Sequence, residues 1–339
     1  MESSVIITIN SLIFMALLCL SMKSYYTPDF LFQFPQLSKH GDDHDELESV
    51  LSKASKAHDS TVIIAIVNRA YVEGDYPMLD LFLDSFKFGD NTSILFNHLI
   101  LVAIDQTSFE KCKSLRLVHC YKLETDGVDF EGEKVYMSDD FIKMMWRRTM
   151  FLGEVLKRGY NFVFTDTDVM WLRNPFTRLS NDQNIDLQIS TDSFNGDPCS
   201  EANIINTGFY VARSNNKTIS LFDAWFARKE NSTGMKEQDV LQRMIQEGVF
   251  KELKLGVRFL DTLYFSGFCE ASKDFAAVTT VHANCCRTIS AKLIDLKNVI
   301  NDWKRFRSLT LNSTALNVKN ITSTLRWSKH VACEDSWKT

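Results

Sequence analysis

The chain has no surplus of positive charge: 38 Lys and Arg stand against 43 Asp and Glu, giving a formal net charge of −5 and a pI near 5.8. Without a basic footprint a nucleic-acid partner is not expected, and substrate phosphates would have to be met locally, by a metal or a few placed cations. No internal repeat and no low-complexity tract is present, so a repeat architecture does not enter. No second Cys/His pair at zinc spacing accompanies Cys285-Cys286, which argues against a structural zinc site there. What is present is ordinary for a globular protein: 45% hydrophobic and 24% charged residues in a chain of 339. That length has room for one large domain or two small ones.

Residues 5–22, VIITINSLIFMALLCLSM, form an uncharged apolar stretch of bilayer-spanning length. No small-x-small cleavage site follows, so a retained signal anchor is expected rather than a cleaved signal peptide. The flanking Glu2 and Lys23 run against the positive-inside rule for a lumenal carboxyl-terminal domain. Five Asn-x-Ser/Thr triplets, at Asn91, Asn216, Asn231, Asn312 and Asn320, favour a secretory-pathway lumen nonetheless. Cysteine agrees: apart from Cys19, seven remain, so at least one lacks a partner within the chain, and Cys112 with Cys120 is the first pairing expected. The organisation expected is a cytoplasmic tail (1–4), an anchor (5–22), a stem (23–60), a catalytic domain (61–306) and a peripheral tail (307–339). Within the stem His40, Asp42, Asp43 and His44 read as a solvated charge run rather than a metal cluster.

Residues 61–67, TVIIAIV, read as a buried strand, residues 78–88 as a helix ended by Gly89, and residues 98–104 as a second buried strand. Strand, helix, strand in this order starts a parallel sheet. The centre of the chain is residues 161–176, NFVFTDTDVMWLRNPF, where an apolar strand ends on Asp166 and Asp168. On a strand these two acids share a face, and at its carboxyl end that face opens on the crevice where α/β sheets bind ligands. Hard oxygen ligands there suit Mg²⁺ or Mn²⁺ with a substrate diphosphate. The competing reading is a strand-ending turn, since Asp favours turns and Pro175 follows.

The preceding helix, Asp139–Lys157, carries Arg148 on its apolar stripe, where it must meet either a structural carboxylate or a ligand phosphate. A strand over 186–190 leads to Asp192. Another over 203–212 contains Asn206, which faces either the site or a turn, and Gly208, which signals a bulge or a close backbone approach. Glu237, Gln238 and Asp239 open a helix, where acids favour the positive dipole end. A strand over 277–281 delivers His282, and residues 293–306 form an amphipathic packing helix.

The ordered segments FLGEVLKRGYNFVFTDTDVMWLRNPF, NTGFYVARSN, EQDV, RFLDTLYFSGFCE and TVHANCCRTISAKLIDLKNVINDW resemble the plant nucleotide-diphospho-sugar transferase family, relatives of which include rhamnogalacturonan xylosyltransferases and extensin arabinosyltransferases. The resemblance runs from about Val62 to Phe306. It implies an α/β fold of GT-A type with a Rossmann-like, mostly parallel sheet, in a single-pass type II Golgi membrane protein with a lumenal catalytic domain. The implied reaction moves a sugar from a nucleotide-sugar, a UDP-sugar being expected, to a glycan or glycoprotein acceptor of the cell wall, with retention at the anomeric carbon. Asp166 and Asp168 occupy the family's Asp-x-Asp positions, and His282 would complete the metal shell, tilting the choice from Mg²⁺ to Mn²⁺. By the same resemblance Arg148 and Lys292 are diphosphate partners, Asn68 and Arg69 nucleotide contacts, and Gln238, Asp239 and Asn206 oxygens beside the reacting sugar. Glu237 departs from the Asp or His-Asp usual before Gln238 but keeps a carboxylate. Two rivals stand beside this reading. A haloacid-dehalogenase-type phosphatase would use Asp166 and Asp168 as nucleophile and acid, but the late acidic pair it needs is missing. A lumenal pseudo-enzyme would bind nucleotide-sugar or glycan without turnover.

Overall fold

The computed structural model describes residues 43–55, 60–125, 128, 130–311 and 315–338. The expected anchor at 5–22, the tail before it and the His40–His44 charge run up to Asp42 lie outside them. Among the described residues no helix is long and apolar enough to cross a membrane. The chain falls into two units, Met1–His44 and Asp45–Thr339, and the second holds both sheets.

Among the described residues ten strands form: β1 (Thr61–Val67), β2 (Leu99–Ala103), β3 (His119–Lys122), β4 (Asn161–Thr165), β5 (Val169–Trp171), β6 (Leu187–Ser193), β7 (Ile204–Ala212), β8 (Val257–Phe259), β9 (Phe265–Gly267) and β10 (Thr280–His282). The larger sheet runs β3-β2-β1-β4-β7-β6-β8. Its β1–β2, β2–β3, β1–β4 and β6–β8 pairs are parallel, while β7 lies antiparallel to both neighbours. The mixed α/β fold with a mostly parallel sheet is therefore as expected. Along β1, Ile63, Ala65 and Val67 enter one core and Val62 and Ile64 the other, so both faces are covered. This is why the strand reads as one unbroken apolar run. A second sheet, β5-β10-β9, sets β10 antiparallel to β5 and places His282 opposite Val169.

Three expectations change. Helix Asp43–Ala54 begins inside the expected stem and buries Leu47, Leu51 and Ala54, so the globular part starts well before residue 60. Its spacing of four and three residues makes one apolar stripe. The expected peripheral tail is also part of the fold: helix Ile289–Thr310 runs past residue 306, Trp327 stacks on Phe275 at 3.7 Å, and Cys333 is buried in a disulfide with Cys286. Lastly, β4 ends at Thr165, so Asp166-Thr167-Asp168 forms the turn between β4 and β5 rather than a strand. The pairing Cys112–Cys120 forms as expected, Cys269 pairs with Cys285, and among the described residues Cys199 is the exposed unpaired thiol.

Candidate active site

The turn after β4 is held by backbone and by its neighbours. The Asp166 amide donates to Gly208 O at 2.7 Å, and the Val169 amide donates to Asp166 O at 3.2 Å. Gly208 lets β7 come this close: a Cβ there would stand 2.3 Å from His282 Cε1 and 2.9 Å from both Asp166 Oδ2 and Asn206 Oδ1. Asp166, Asp168 and His282 each offer one ligand atom, and these atoms lie within 4.8 Å of one another. The triplet thus forms the turn of the competing reading, and its two carboxylates also stand within reach of a cation shared with His282. Two carboxylates and one imidazole form a donor set that fits a divalent cation of the Mn²⁺ type.

Cations compensate the acids already. Lys292 Nζ lies 2.7 Å from Asp168 Oδ2, and His282 Nε2 lies 3.2 Å from Asp168 Oδ1. Burial opposes the Asp168 charge, but Lys292 and His282 together outweigh it and hold the carboxyl well below its usual range. For Asp166 burial wins, helped by the Asp168 charge, and its pKa is raised despite Arg148. Burial alone would lower His282, yet the Asp168 carboxylate raises it.

Arg148 resolves in favour of carboxylates. Its guanidinium, 6% exposed, reaches Asp166 Oδ1 at 2.8 Å and Glu237 Oε1 at 2.5 Å, and packs over Phe164 at 4.7 Å. It is committed to the protein rather than presented to a diphosphate, so it supports the acids from behind. Glu237, expected only to complement a helix dipole, is buried; its Oε1 also accepts from Thr207 Oγ1, while Oε2 has no partner.

These groups line one cavity of about 250 Å³, together with Asn68, Tyr71, Asp192, Asn206, Gln238, Asn284 and Lys292. Asn206 Nδ2 donates to Asp192 Oδ1 at 2.9 Å and Asn284 Nδ2 to the same oxygen at 2.7 Å, while Gln238 Nε2 donates to Asp192 Oδ2 at 3.3 Å. Asp192 is the organiser that sequence reasoning missed; the one signal was an acid at a strand end. Tyr71, whose phenol burial pushes up to about 12, and Asn284 were missed as well. Asn68 Nδ2 is locked onto Phe130 O and Gly132 O, and its buried Oδ1 has no partner among the described residues.

Two expected residues stay outside the cavity wall. Arg69 turns to Glu73 and Glu131 at the surface, because residues 69–72 form a helical turn that carries its side chain away from Asn68. Asp239 pairs loosely with Lys236 at 3.9 Å, one position beyond the Gln238 that faces inward.

A nucleotide-diphospho-sugar transferase family profile matches residues 94–296. The chain is 52% identical over 297 residues to the uncharacterised Arabidopsis thaliana protein At1g28695, covering 86% of this chain and 84% of that one. It is 25% identical over 177 residues to a UDP-galactose:fucoside alpha-3-galactosyltransferase of Dictyostelium discoideum, covering 43% and 26%. Among solved structures, the galactosyltransferase LgtC with donor and acceptor sugar analogues superposes with a TM-score of 0.41 at 12% identity, over 65% of this chain and 86% of that one. The chain belongs to the nucleotide-diphospho-sugar transferase family and is a glycosyltransferase.

Proposed function

We propose that the protein is a metal-dependent transferase of a UDP-sugar, acting with retention on a cell-wall glycan or glycoprotein in the Golgi lumen. The observation that carries this is the convergence of Asp166, Asp168 and His282 with Lys292 in the cavity that Asn68 also lines. A divalent cation held by the two aspartates and the histidine would stabilise the charge growing on a departing diphosphate. Lys292, 18% exposed and tied to Asp168, has donors to spare for a phosphate oxygen. With its Nδ2 occupied, Asn68 presents a desolvated Oδ1 acceptor, which suits the imide N–H of uracil. The donor named for the Dictyostelium relative is also a UDP-sugar.

At the reacting end, Asp192 fixes Gln238 and Asn206. The Gln238 amide is held at both ends, Oε1 by the Thr207 amide at 3.1 Å and Nε2 by Asp192, so its oxygen is oriented without a choice of rotamer. An amide oxygen fixed in this way would face the positive charge that develops on the sugar or align the acceptor hydroxyl. The oxidising lumen is supported by three disulfides and by exposure of the four described sequon asparagines, Asn91, Asn216, Asn231 and Asn320. Membrane anchorage through residues 5–22, as a type II protein, completes the proposal.

The decisive measurement is UDP release from a panel of UDP-sugars by the purified protein with Mn²⁺. Turnover should vanish on chelation, return on Mn²⁺ addition, and be absent in Asp168→Ala. Metal-independent phosphatase activity, or UDP binding with no turnover of any donor, would overturn the assignment.

A further inference from the structure

Accepting the transferase reading, the structure leaves the acceptor side open, and the carboxyl-terminal segment bears on it. Trp337 lines the cavity although it lies far beyond the last sequence segment that carries the family resemblance. Its indole N–H donates to Cys285 O at 2.7 Å, Arg287 lies over its ring at 4.1 Å, and Tyr136 meets it edge-on at 6.4 Å. Directly before it, Ser336 accepts from the Arg287 amide at 3.1 Å, and the Cys286–Cys333 disulfide ties the segment to residues next to the site. Even so, 46% of the residue stays exposed. An indole whose polar handle is satisfied by the protein, with one ring face covered by Arg287 and nearly half of its surface still open, is built as a contact surface, not as core.

Its place along the cavity separates it from the nucleobase end. The strap leading to Ser138 begins where Phe130 O and Gly132 O accept from Asn68, and continues to Tyr136, which lies under Lys236 Nζ at 5.5 Å. Lys236 is two residues from Gln238. Trp337 therefore meets the strap at Tyr136, and its partner Cys285 is joined by a disulfide to Cys269, whose sulfur lies 3.5 Å from Asp192 Oδ1, the carboxylate that holds Gln238 and Asn206. A ligand there needs an apolar face for the indole and a polar rim for the water around it, and a sugar ring has both.

We propose that Trp337, backed by Arg287 and bordered by Tyr136, is the acceptor platform: a sugar residue of a glycan acceptor stacks on the indole face that Arg287 leaves uncovered. The test compares the full chain with Trp337→Ala and Trp337→Phe. For oligosaccharide acceptors, Trp337→Ala should raise KM about tenfold with kcat changed far less. Trp337→Phe should recover much of the loss, and UDP affinity by calorimetry should hold within about twofold. A fall in UDP affinity would place the ring in the nucleotide site and overturn the proposal, as would an unchanged acceptor KM or an effect confined to peptide acceptors. Wild-type UDP release without acceptor reads the transferase assignment separately. Should that assignment fail, saturation-transfer NMR of oligosaccharides still decides: binding lost in Trp337→Ala supports the platform, and equal binding to both proteins removes it.

Discussion

Arg148 is the residue on which the acid cluster depends, since it spans Asp166 and Glu237 from a nearly sealed position. Arg148→Met keeps much of the stem's bulk but leaves Glu237 buried and uncompensated. We expect a loss of about 3 kcal/mol in urea unfolding, partly recovered in the Arg148→Met/Glu237→Gln double variant. Equal losses in the single and double variants would mean that packing against Phe164, not charge, is what matters. Gly208 sets a different limit. Gly208→Ala would place a methyl against His282 and Asp166, so Mn²⁺ affinity should fall about tenfold or more in calorimetry while the circular dichroism of the fold is kept. Undiminished affinity would show that the His282 ring yields without cost.

At the scale of elements, the carboxyl-terminal segment acts as a clasp. Its Cys286–Cys333 disulfide closes a stretch with a sequence separation of 47, for which chain entropy predicts about 4 kcal/mol at most. Cys333→Ser should thus lower the urea midpoint strongly, and an unchanged midpoint would count against a clasp. His330, stacked on Phe268 at 3.6 Å with a buried Nδ1 that has no partner, adds a pH term. Burial lowers its pKa against the pull of nearby acids, so the unfolded chain takes up a proton more readily than the folded one. Its contribution is present above the unfolded value of about 6.5 and is lost as pH falls below it. The thermal midpoint should drop between pH 7 and 5, and His330→Phe should flatten that drop.

For the whole molecule, exposure of the sequon asparagines predicts that glycosidase treatment of the protein from plant cells lowers its apparent mass, and that Asn216→Gln or Asn231→Gln removes one increment each. A protein made without any glycan would contradict a lumenal domain. Much of the architecture was readable from sequence because burial imposes a period: the β1 run, the Met78–Phe88 and Asp139–Lys157 helices and the Glu237–Gln246 helix all formed as their patterns require. The inner position of Arg148 was readable for the same reason, but its partner was not, since Glu237 reaches it only through the fold. Asp192 had only its place at a strand end to mark it, because Asn206, Gln238 and Asn284 converge on it from three separate segments. The tail misled for a related reason: its polar composition hides a disulfide and a Trp327–Phe275 stack, which depend on distant residues rather than on periodicity.

The joint between the sheets has a consequence for synthesis. Asp166 and Asp168 follow β4 of the larger sheet, whereas His282 and Lys292 arrive with β10 and the helix after it. Arg148, the partner of Asp166, precedes it in the chain, but His282 and Lys292, the cationic partners of Asp168, are made much later, so the nascent domain holds the Asp168 charge uncompensated at its centre. Commitment to the native state is thereby deferred until nearly the whole catalytic region has been made.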